Sequence, residues 1–297
     1  AGGAGYIGTM LTEELINRNY DVTVVDLLWF GNYLPTGAAL LNKNIMDLTE
    51  EDLHGFDVVV FQAGLSNDPM ADYSPSMNFV ENAAVPAYLA FISKRAGVER
   101  FVYASSCSIY GYTANNLMDE SAPVSPQYPY GISKLSAEYT IMSLKDERFR
   151  PIALRKGTVG GYSPRMRFDL VVNAMTKSAL QKNAITVNNP SLWRPLIDVR
   201  DVVMAYVRSI ECTIGRLADE IREELMRHGF NPSIITKNVQ DVRNYKVTNK
   251  KAKIELDFVP RYSPKDSVKE ILRNMDLSSV DFEDKKYYNI ATFKEVL

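Results

Sequence analysis

The residues best suited to chemistry are a tyrosine and a lysine four positions apart, in the segment Tyr130-Gly-Ile-Ser-Lys134. On a helix, side chains at i and i+4 share one face. An ammonium beside a phenol favours the phenolate and lowers the phenol's pKa toward neutrality, so the pair is suited to removing a proton from an alcohol. Spacing alone carries little, because 17 Tyr and 17 Lys in 297 residues give about one such pair by chance. Context lifts it above an ordinary exposed helix pair. The pair opens a helix after a loop containing Pro123, Pro126 and Pro129. It also follows a strand that ends in Ser105-Ser106-Cys107-Ser108-Ile-Tyr110-Gly111. A serine hydroxyl at the carboxyl end of that strand would orient the oxygen whose proton Tyr130 removes.

Holding these groups together requires strand–helix units. A helical stretch, Thr9 to Asn19, precedes a buried strand, Asp21 to Asp26. Strands at Asp57 to Gln62, Arg100 to Ser105 and Pro151 to Arg155 alternate with helices at Pro75 to Ala96 and Tyr130 to Leu144. This texture predicts an α/β fold with a doubly wound parallel sheet, whose ligands bind beyond the carboxyl ends of the strands. Residues 1–160, with 195–211 returning to them, are expected to form that domain. Residues 161–194 and 212–297 are expected to form a smaller C-terminal lobe that binds substrate, with helices at Phe168 to Lys182 and Thr213 to His228. There are no internal repeats and no low-complexity tracts.

At the start of the chain, Gly2-Gly-Ala-Gly5-Tyr-Ile-Gly8 fits G-x-x-G-x-x-G, and Gly3, Gly5 and Gly8 fit G-x-G-x-x-G. Glycines there let the backbone turn tightly and approach a pyrophosphate at the helix N-terminus. Asp26 closes the next strand 18 residues after Gly8, where a carboxylate bonds a ribose diol. Leu27 and Leu28 follow, with no Arg or Lys to hold a 2′-phosphate. The expected ligand is therefore NAD rather than NADP, in a Rossmann-type domain; a plain turn with Asp26 capping it is the alternative. Such a turn follows a strand, so a strand is expected in front of it. The passage from the helix ending near Glu211 into Cys212-Thr-Ile-Gly215 likewise reads as a shortened connection.

Composition narrows the classes further. Thirty-four basic against 36 acidic side chains leave a formal charge of −2, which excludes a nucleic-acid binder resting on bulk electrostatics. Two cysteines, Cys107 and Cys212, exclude a disulfide framework and place the chain in a reducing compartment, the cytoplasm. Two histidines, His54 and His228, exclude a His-rich metal site or a His-centred triad, and no metal is expected. No apolar run approaches membrane-span length.

The glycine turn, Asp26, Ser106 with Tyr110-Gly111, and Tyr130 with Lys134 together resemble the extended short-chain dehydrogenase/reductase family, in its nucleotide-sugar epimerase and dehydratase branch. The likeness covers essentially the whole chain. In that family the active Ser or Thr lies five residues before the glycine of the Tyr-Gly pair, which selects Ser106. The resemblance implies that Ser106, Tyr130 and Lys134 are catalytic, with Lys134 also holding the nicotinamide ribose. It places Tyr6, Ile7, Asn44, Ile45, Gln62, Ala63, Gly64 and Asn82 beside the cofactor with Gly2, Gly5, Gly8 and Asp26. The 4,6-dehydratases carry Asp-Glu after the Ser/Thr. Cys107 and Ser108 stand there instead, so elimination of water is disfavoured. Cys107 reads as a small buried filler.

The resemblance also implies a nucleoside-diphosphate sugar as substrate. Arg194, in Trp193-Arg-Pro-Leu-Ile-Asp198-Val-Arg-Asp201, matches a diphosphate-binding arginine, with Asp198 in place of the family's His. Arg243, in Asp241-Val-Arg-Asn-Tyr245, resembles the second such arginine, and Asn249 to Pro260 resembles the family's C-terminal Lys-Ala…Phe-x-Pro element. Arg165 and Arg167, in Ser163-Pro-Arg-Met-Arg167, resemble residues of epimerase-like sugar dehydrogenases; each alone reads equally as a solvated charge. Thr158 stands where an Asn touches the sugar diphosphate, and Lys156 where an aromatic residue meets the nicotinamide. Trp29 either covers the adenine or packs. Family members pair through the helix Pro75 to Ala96 and the Tyr130 helix, which implies a homodimer. The expected activity is an NAD-dependent nucleotide-sugar 4-epimerase acting through a transient 4-keto-sugar, resembling UDP-glucose 4-epimerase-like enzymes. A 4-dehydrogenase or ketoreductase, a 4,6-dehydratase and a non-catalytic NAD-binding scaffold are the alternatives.

Overall fold

The computed structural model describes residues 1–66, 68–112, 117–185, 187, 193–211, 246–247, 250–262, 270, 273–275 and 279–296. Helix α1 (Tyr6–Asn17) leads to β1 (Thr23–Val25) and β2 (Ala39–Leu41), and β3 (Val58–Phe61) is followed by α2 (Asp68–Tyr73) and α3 (Pro75–Phe79). A π-helical turn, Val80–Ala84, joins α3 to α4 (Val85–Arg95). Next come β4 (Arg100–Tyr103), β5 (Leu117–Met118), α5 (Pro129–Ser143), β6 (Arg150–Ala153) and β7 (Thr158–Gly160). Then follow α6 (Val171–Lys182), β8 (Leu196–Asp198), α7 (Val199–Glu211), β9 (Lys246–Val247), α8 (Lys250–Leu256) and α9 (Asn289–Val296).

β4 pairs in parallel with β3 on one side and with β6 on the other, and β1 pairs in parallel with β2. Ala1 and Gly2 join the two sets. The Ala1 nitrogen donates to the Val60 carbonyl at 2.7 Å, the Gln62 N–H donates to the Ala1 carbonyl at 2.9 Å, and the Gly2 N–H donates to the Val25 carbonyl at 2.8 Å. The strand expected ahead of the glycine-rich turn is thus represented by Ala1–Gly2. Counted as a strand, it gives the spatial order 3-2-1-4-5-6 of a doubly wound sheet, with the crevice at the reversal point beside Gly2. β7 and β8 form a further parallel pair, and β5 pairs in parallel with β9.

β4 is buried on both faces, as a central parallel strand must be. Its alternate side chains point to opposite layers: Val102 packs with Leu11, Leu15, Val203 and Val207 of α1 and α7, while Phe101 and Tyr103 pack with Leu89, Ile92, Ala137 and Ile141 of α4 and α5. Each such side chain contributes roughly 1.5–3 kcal/mol by leaving water.

The long helix expected from Pro75 to Ala96 is interrupted by the π turn, and Pro86 supplies the cause. Lacking an N–H, it cannot bond the Asn82 carbonyl; the Tyr103 hydroxyl takes that carbonyl at 3.3 Å instead. Two boundaries differ from expectation. α1 starts at Tyr6, not Thr9, because the turn's glycines serve as its cap and first turn. α6 starts at Val171, not Phe168, because the backbone is still extended at Leu170, its N-cap. The expected helix Thr213 to His228 lies outside the described residues.

Candidate active site

A cavity of about 530 Å³ opens at the carboxyl ends of the strands, in the size range of small-molecule sites. Its floor is the glycine-rich turn. A Cβ on Gly2 would lie 2.4 Å from the Ala63 nitrogen, and one on Gly8 would lie 2.2 Å from the Gly2 carbonyl oxygen. Side chains there would force the turn apart. With glycine at both places, and Gly5 at the N-cap of α1, the first N–H groups of the helix face the cavity bare, as an anion site needs. Tyr6 and Ile7 also line it, although the Tyr6 hydroxyl turns away to the Gly161 carbonyl at 2.6 Å.

Asp26 is on the wall beside this turn. One carboxylate oxygen accepts the Ala4 N–H at 3.0 Å and the other the Leu28 N–H at 2.9 Å. It therefore caps its own turn and still presents lone pairs to the cavity. Asn44 and Ile45 line the same end, with the Asn44 oxygen capping the turn that follows it. Gln62, Ala63 and Gly64 follow β3 along the wall, and the Gln62 amide nitrogen is buried beside the Tyr206 hydroxyl. Asn82 does not reach the cavity. Its amide donates to the Leu65 carbonyl at 2.8 Å from behind the wall, and a Cβ on Gly64 would meet its oxygen at 2.2 Å. The π turn aims Asn82 there, a role the residue pattern did not convey. Trp29 lines the cavity and packs against Phe293, with centroids 6.1 Å apart.

Ser106, Tyr130 and Lys134 line the other end. Ser106 caps the turn Cys107–Tyr110, accepting the Ser108 N–H at 3.1 Å, and its hydroxyl hydrogen-bonds Tyr130. Tyr130 and Lys134 occupy successive turns of α5, with the Lys134 ammonium nitrogen 5.9 Å from the Tyr130 ring centre and 5.2 Å from that of Tyr103. The expected acidification of Tyr130 by Lys134 is not what the geometry gives. Burial raises the phenol's pKa, opposed by the Ser106 hydrogen bond and by the charge of Arg167. Lys134 is itself depressed to about 7, first by burial and then by the neighbouring charge of Lys156. Lys156, also on the wall, is lowered to about 7 by burial; its nitrogen is 3.4 Å from the Gln62 Oε1 and 5.5 Å from the Tyr206 ring centre.

Behind these residues runs a paired network. Arg155 donates to Glu138 through Nε and Nη2, at 3.0 and 2.6 Å to Oε1, and through Nη1 to the Tyr110 hydroxyl at 2.9 Å. Ser105 donates to the other Glu138 oxygen. Burial opposes the Arg155 charge, but Glu138 more than offsets it and holds its pKa above the ordinary value. Cys107 is buried, its Sγ donating to the Arg155 carbonyl at 3.0 Å, which suits a filler.

The arginines expected at the substrate diverge. Arg167 is on the wall but pairs with Asp169 through Nε and Nη2 at 2.9 and 2.5 Å. Arg165 is buried and turns toward Phe30. Arg194 is exposed at the rim, and Thr158 lines the wall nearby. Asp198 receives Arg200 two residues on, and Asp201 accepts the backbone N–H groups of Arg261 and Tyr262, tying that distant segment to α7. Arg243 lies outside the described residues.

The family model for the NAD dependent epimerase/dehydratase family matches residues 1–215. The chain belongs to that family. As in other NAD-dependent epimerase/dehydratases, the cofactor is NAD. A Corynebacterium glutamicum UDP-glucose 4-epimerase is 32% identical over 146 residues, 48% of this chain and 44% of that protein. The chain thus spans less than half the length of that relative. A Methanocaldococcus jannaschii protein provisionally named a UDP-glucose 4-epimerase is 25% identical over 92% of this chain and 96% of its own length. The structure of TunA, an NAD-dependent NDP-hexosamine 5,6-dehydratase, superposes with a TM-score of 0.76 at 20% identity, covering 94% of this chain and 98% of TunA. That likeness speaks to the Rossmann-type fold alone. Within this family frame the residues present fit a dinucleotide: a glycine cradle that no Cβ could share, bare helix N–H groups, and buried donors of Arg165 without partners. No described helix is long and apolar enough to cross a membrane.

Proposed function

We propose that the protein is an NAD-dependent nucleotide-sugar epimerase of the 4-epimerase type, passing its sugar through a transient 4-ketone. One observation carries the reading. Ser106, Tyr130 and Lys134 share a cavity with the glycine-rich turn and Asp26, while no acid follows Ser106. Bound NAD would supply a hydride acceptor that returns the hydride. The glycine-rich turn and α1 would hold its diphosphate, Asp26 its adenosine ribose, and Lys134 its other ribose. Tyr130 Oη takes the proton of the 4-hydroxyl and gives it back, and Ser106 holds the same oxygen. Elimination would need a proton donor and an acceptor beside C5 and C6. The Cys107 thiol is committed to the Arg155 carbonyl, and Ser108, whose hydroxyl accepts from Ser106, carries no carboxyl group to act as acid or base, which supports epimerisation over dehydration.

Residues 161–194 and 212–297 are the substrate-binding part in this reading, with Thr158, Arg167 and Arg194 toward a sugar diphosphate. The chain pairs with a second copy through α3, α4 and α5, whose outer sides leave Phe79, Ile132, Tyr139 and Met142 exposed. A reducing cytoplasm suits the buried Cys107 thiol, which is in no disulfide. Incubation with UDP-, GDP-, CDP- and dTDP-sugars, followed by NMR of the products and absorbance of reduced cofactor, tests the activity. Inverted sugar without net reduced cofactor is expected. Stoichiometric ketone or reduced cofactor would make the protein a dehydrogenase or ketoreductase instead.

A further inference from the structure

We infer that Arg165 is a ligand of the cofactor's diphosphate, held in place by Asn289 of the C-terminal helix, and not a ligand of the substrate. The inference rests on the dinucleotide reading above. Arg165 is 2% exposed, yet its Nε and Nη1 have no hydrogen-bond partner. It is in no ion pair among the described residues; the charges of Asp169 and Asp26 act on it from farther off, but burial and the neighbouring Arg167 outweigh them and lower its pKa to about 9. Burying a guanidinium with two idle donors is costly unless something anionic meets it, and this one faces the cavity.

Its neighbours say which anion. The guanidinium carbon is 3.7 Å from the centre of the Phe30 ring, on the loop that follows Asp26. Nη2 donates to the Asn289 oxygen at 2.5 Å, and the Asn289 amide donates to the Ser66 hydroxyl at 2.5 Å, on the loop after β3. Phe30 and Ser66 belong to the two loops that flank the glycine-rich turn, on the cofactor side of the crevice. Arg167 goes the other way: it is paired with Asp169, and its charge acts on Tyr130.

Charge balance agrees. A diphosphate brings two negative charges, the N-terminus of α1 offers about half a positive one, and Gly2 to Gly8 contain no basic side chain. Lys43, the other cation at this end of the cavity, is already paired with Asp52 at 3.1 Å. Arg165 supplies the missing charge, and a guanidinium fork matches two phosphate oxygens. Asn289 fixes the fork from α9, which is anchored by Phe293 against Trp29 and Tyr73.

The test uses the full chain with Arg165→Met, Arg165→Lys and Asn289→Ala. NAD retained through purification is measured first, then calorimetric affinities for NAD, ADP, adenosine and, on NAD-loaded protein, UDP. Arg165→Met is expected to weaken NAD and ADP roughly 10- to 100-fold, as the loss of charge-assisted hydrogen bonds does. Adenosine and UDP should stay within about threefold. Arg165→Lys should recover part of the loss, and Asn289→Ala should weaken NAD about 3- to 10-fold. Melting of the ligand-free Arg165→Met protein should be unchanged or higher, which a merely structural arginine would not allow. A fall in UDP affinity with NAD unchanged overturns the inference in favour of a substrate role, and unchanged affinities throughout overturn it outright. If the unsubstituted chain binds neither NAD nor ADP, the dinucleotide reading itself has failed.

Discussion

Two sets of buried charges stand back to back in this molecule. Behind the wall, Arg155 and Glu138 are paired, hydrogen-bonded to each other and to Tyr110 and Ser105. On the wall, Lys134 and Arg165 are buried and Lys156 is half-buried, and none of the three is in an ion pair among the described residues, although the charges of Asp169 and Asp26 act on Arg165. The fold uses the first set to hold β4, β6 and α5 in register, so that Ser106, Tyr130 and Thr158 meet. The second set costs the folded chain stability by burial, and in the proposed reading bound ligand supplies its counter-charge. Buried charge with a partner reads as scaffold; buried charge without one reads as a binding site.

The largest expected effect falls on the cavity side. Tyr130→Phe removes the hydroxyl proposed to exchange the proton while leaving the ring beside Lys134. Turnover should fall about a thousandfold, equivalent to ~4 kcal/mol of barrier, with NAD content and melting temperature nearly unchanged. Product NMR and cofactor content of the purified variant check both halves. Retained turnover would remove the phenol from the chemistry and leave only a cofactor-binding scaffold.

On the other side, Glu138→Ala strands the Arg155 guanidinium and the Ser105 hydroxyl. Unfolding should become easier by about 3–5 kcal/mol, measured by urea denaturation. The double change Glu138→Leu with Arg155→Met should recover most of that loss, because an apolar pair has no charge left to strand. If the double change is as damaging as the single one, the network contributes through shape and not through charge.

Much of this was legible in the residues. Alternating apolar runs located β1, β3, β4, β6 and the helices between them, since burial on both faces of a parallel sheet leaves a strong sequence trace. The glycine spacing with Asp26, and Ser106 with Tyr130 and Lys134, located both ends of the cavity, because each needs a particular residue type at a particular distance. Neighbours made through space were not legible. Nothing local in Pro86 announces that it turns Asn82 behind the wall. Ser163 to Arg167 gives no sign that two arginines two positions apart part company. That Lys134 is depressed, and does not simply acidify Tyr130, depends on Lys156, which lies 22 positions along the chain.

A third substitution has the sign opposite to Glu138→Ala. Lys156 has its pKa lowered by burial to about 7 from an ordinary 10.5. Between those values the unfolded chain holds more protons than the folded one, so this group makes stability rise with pH; below about 7 its burial cost is felt in full. Lys156→Met should therefore stabilise the ligand-free protein by up to about 4–5 kcal/mol at pH 6, and the gain should shrink toward nothing as pH approaches 10.5. Melting temperatures of the two proteins across that range show whether the curves converge. Parallel curves would mean that the ammonium has a counter-charge after all.

The smallest effect belongs to charges that are paired but wet. Arg150 and Glu99 meet at 2.9 Å, yet their side chains remain 33% and 51% exposed. Water already solvates both ions, so pairing gains little Coulomb energy and freezes two long side chains. Glu99→Ala should change unfolding by less than about 0.5 kcal/mol, and added salt should erase the difference. A loss comparable to that of Glu138→Ala would break the comparison at its root, since a partner alone, without burial, would then suffice to make a charge structural.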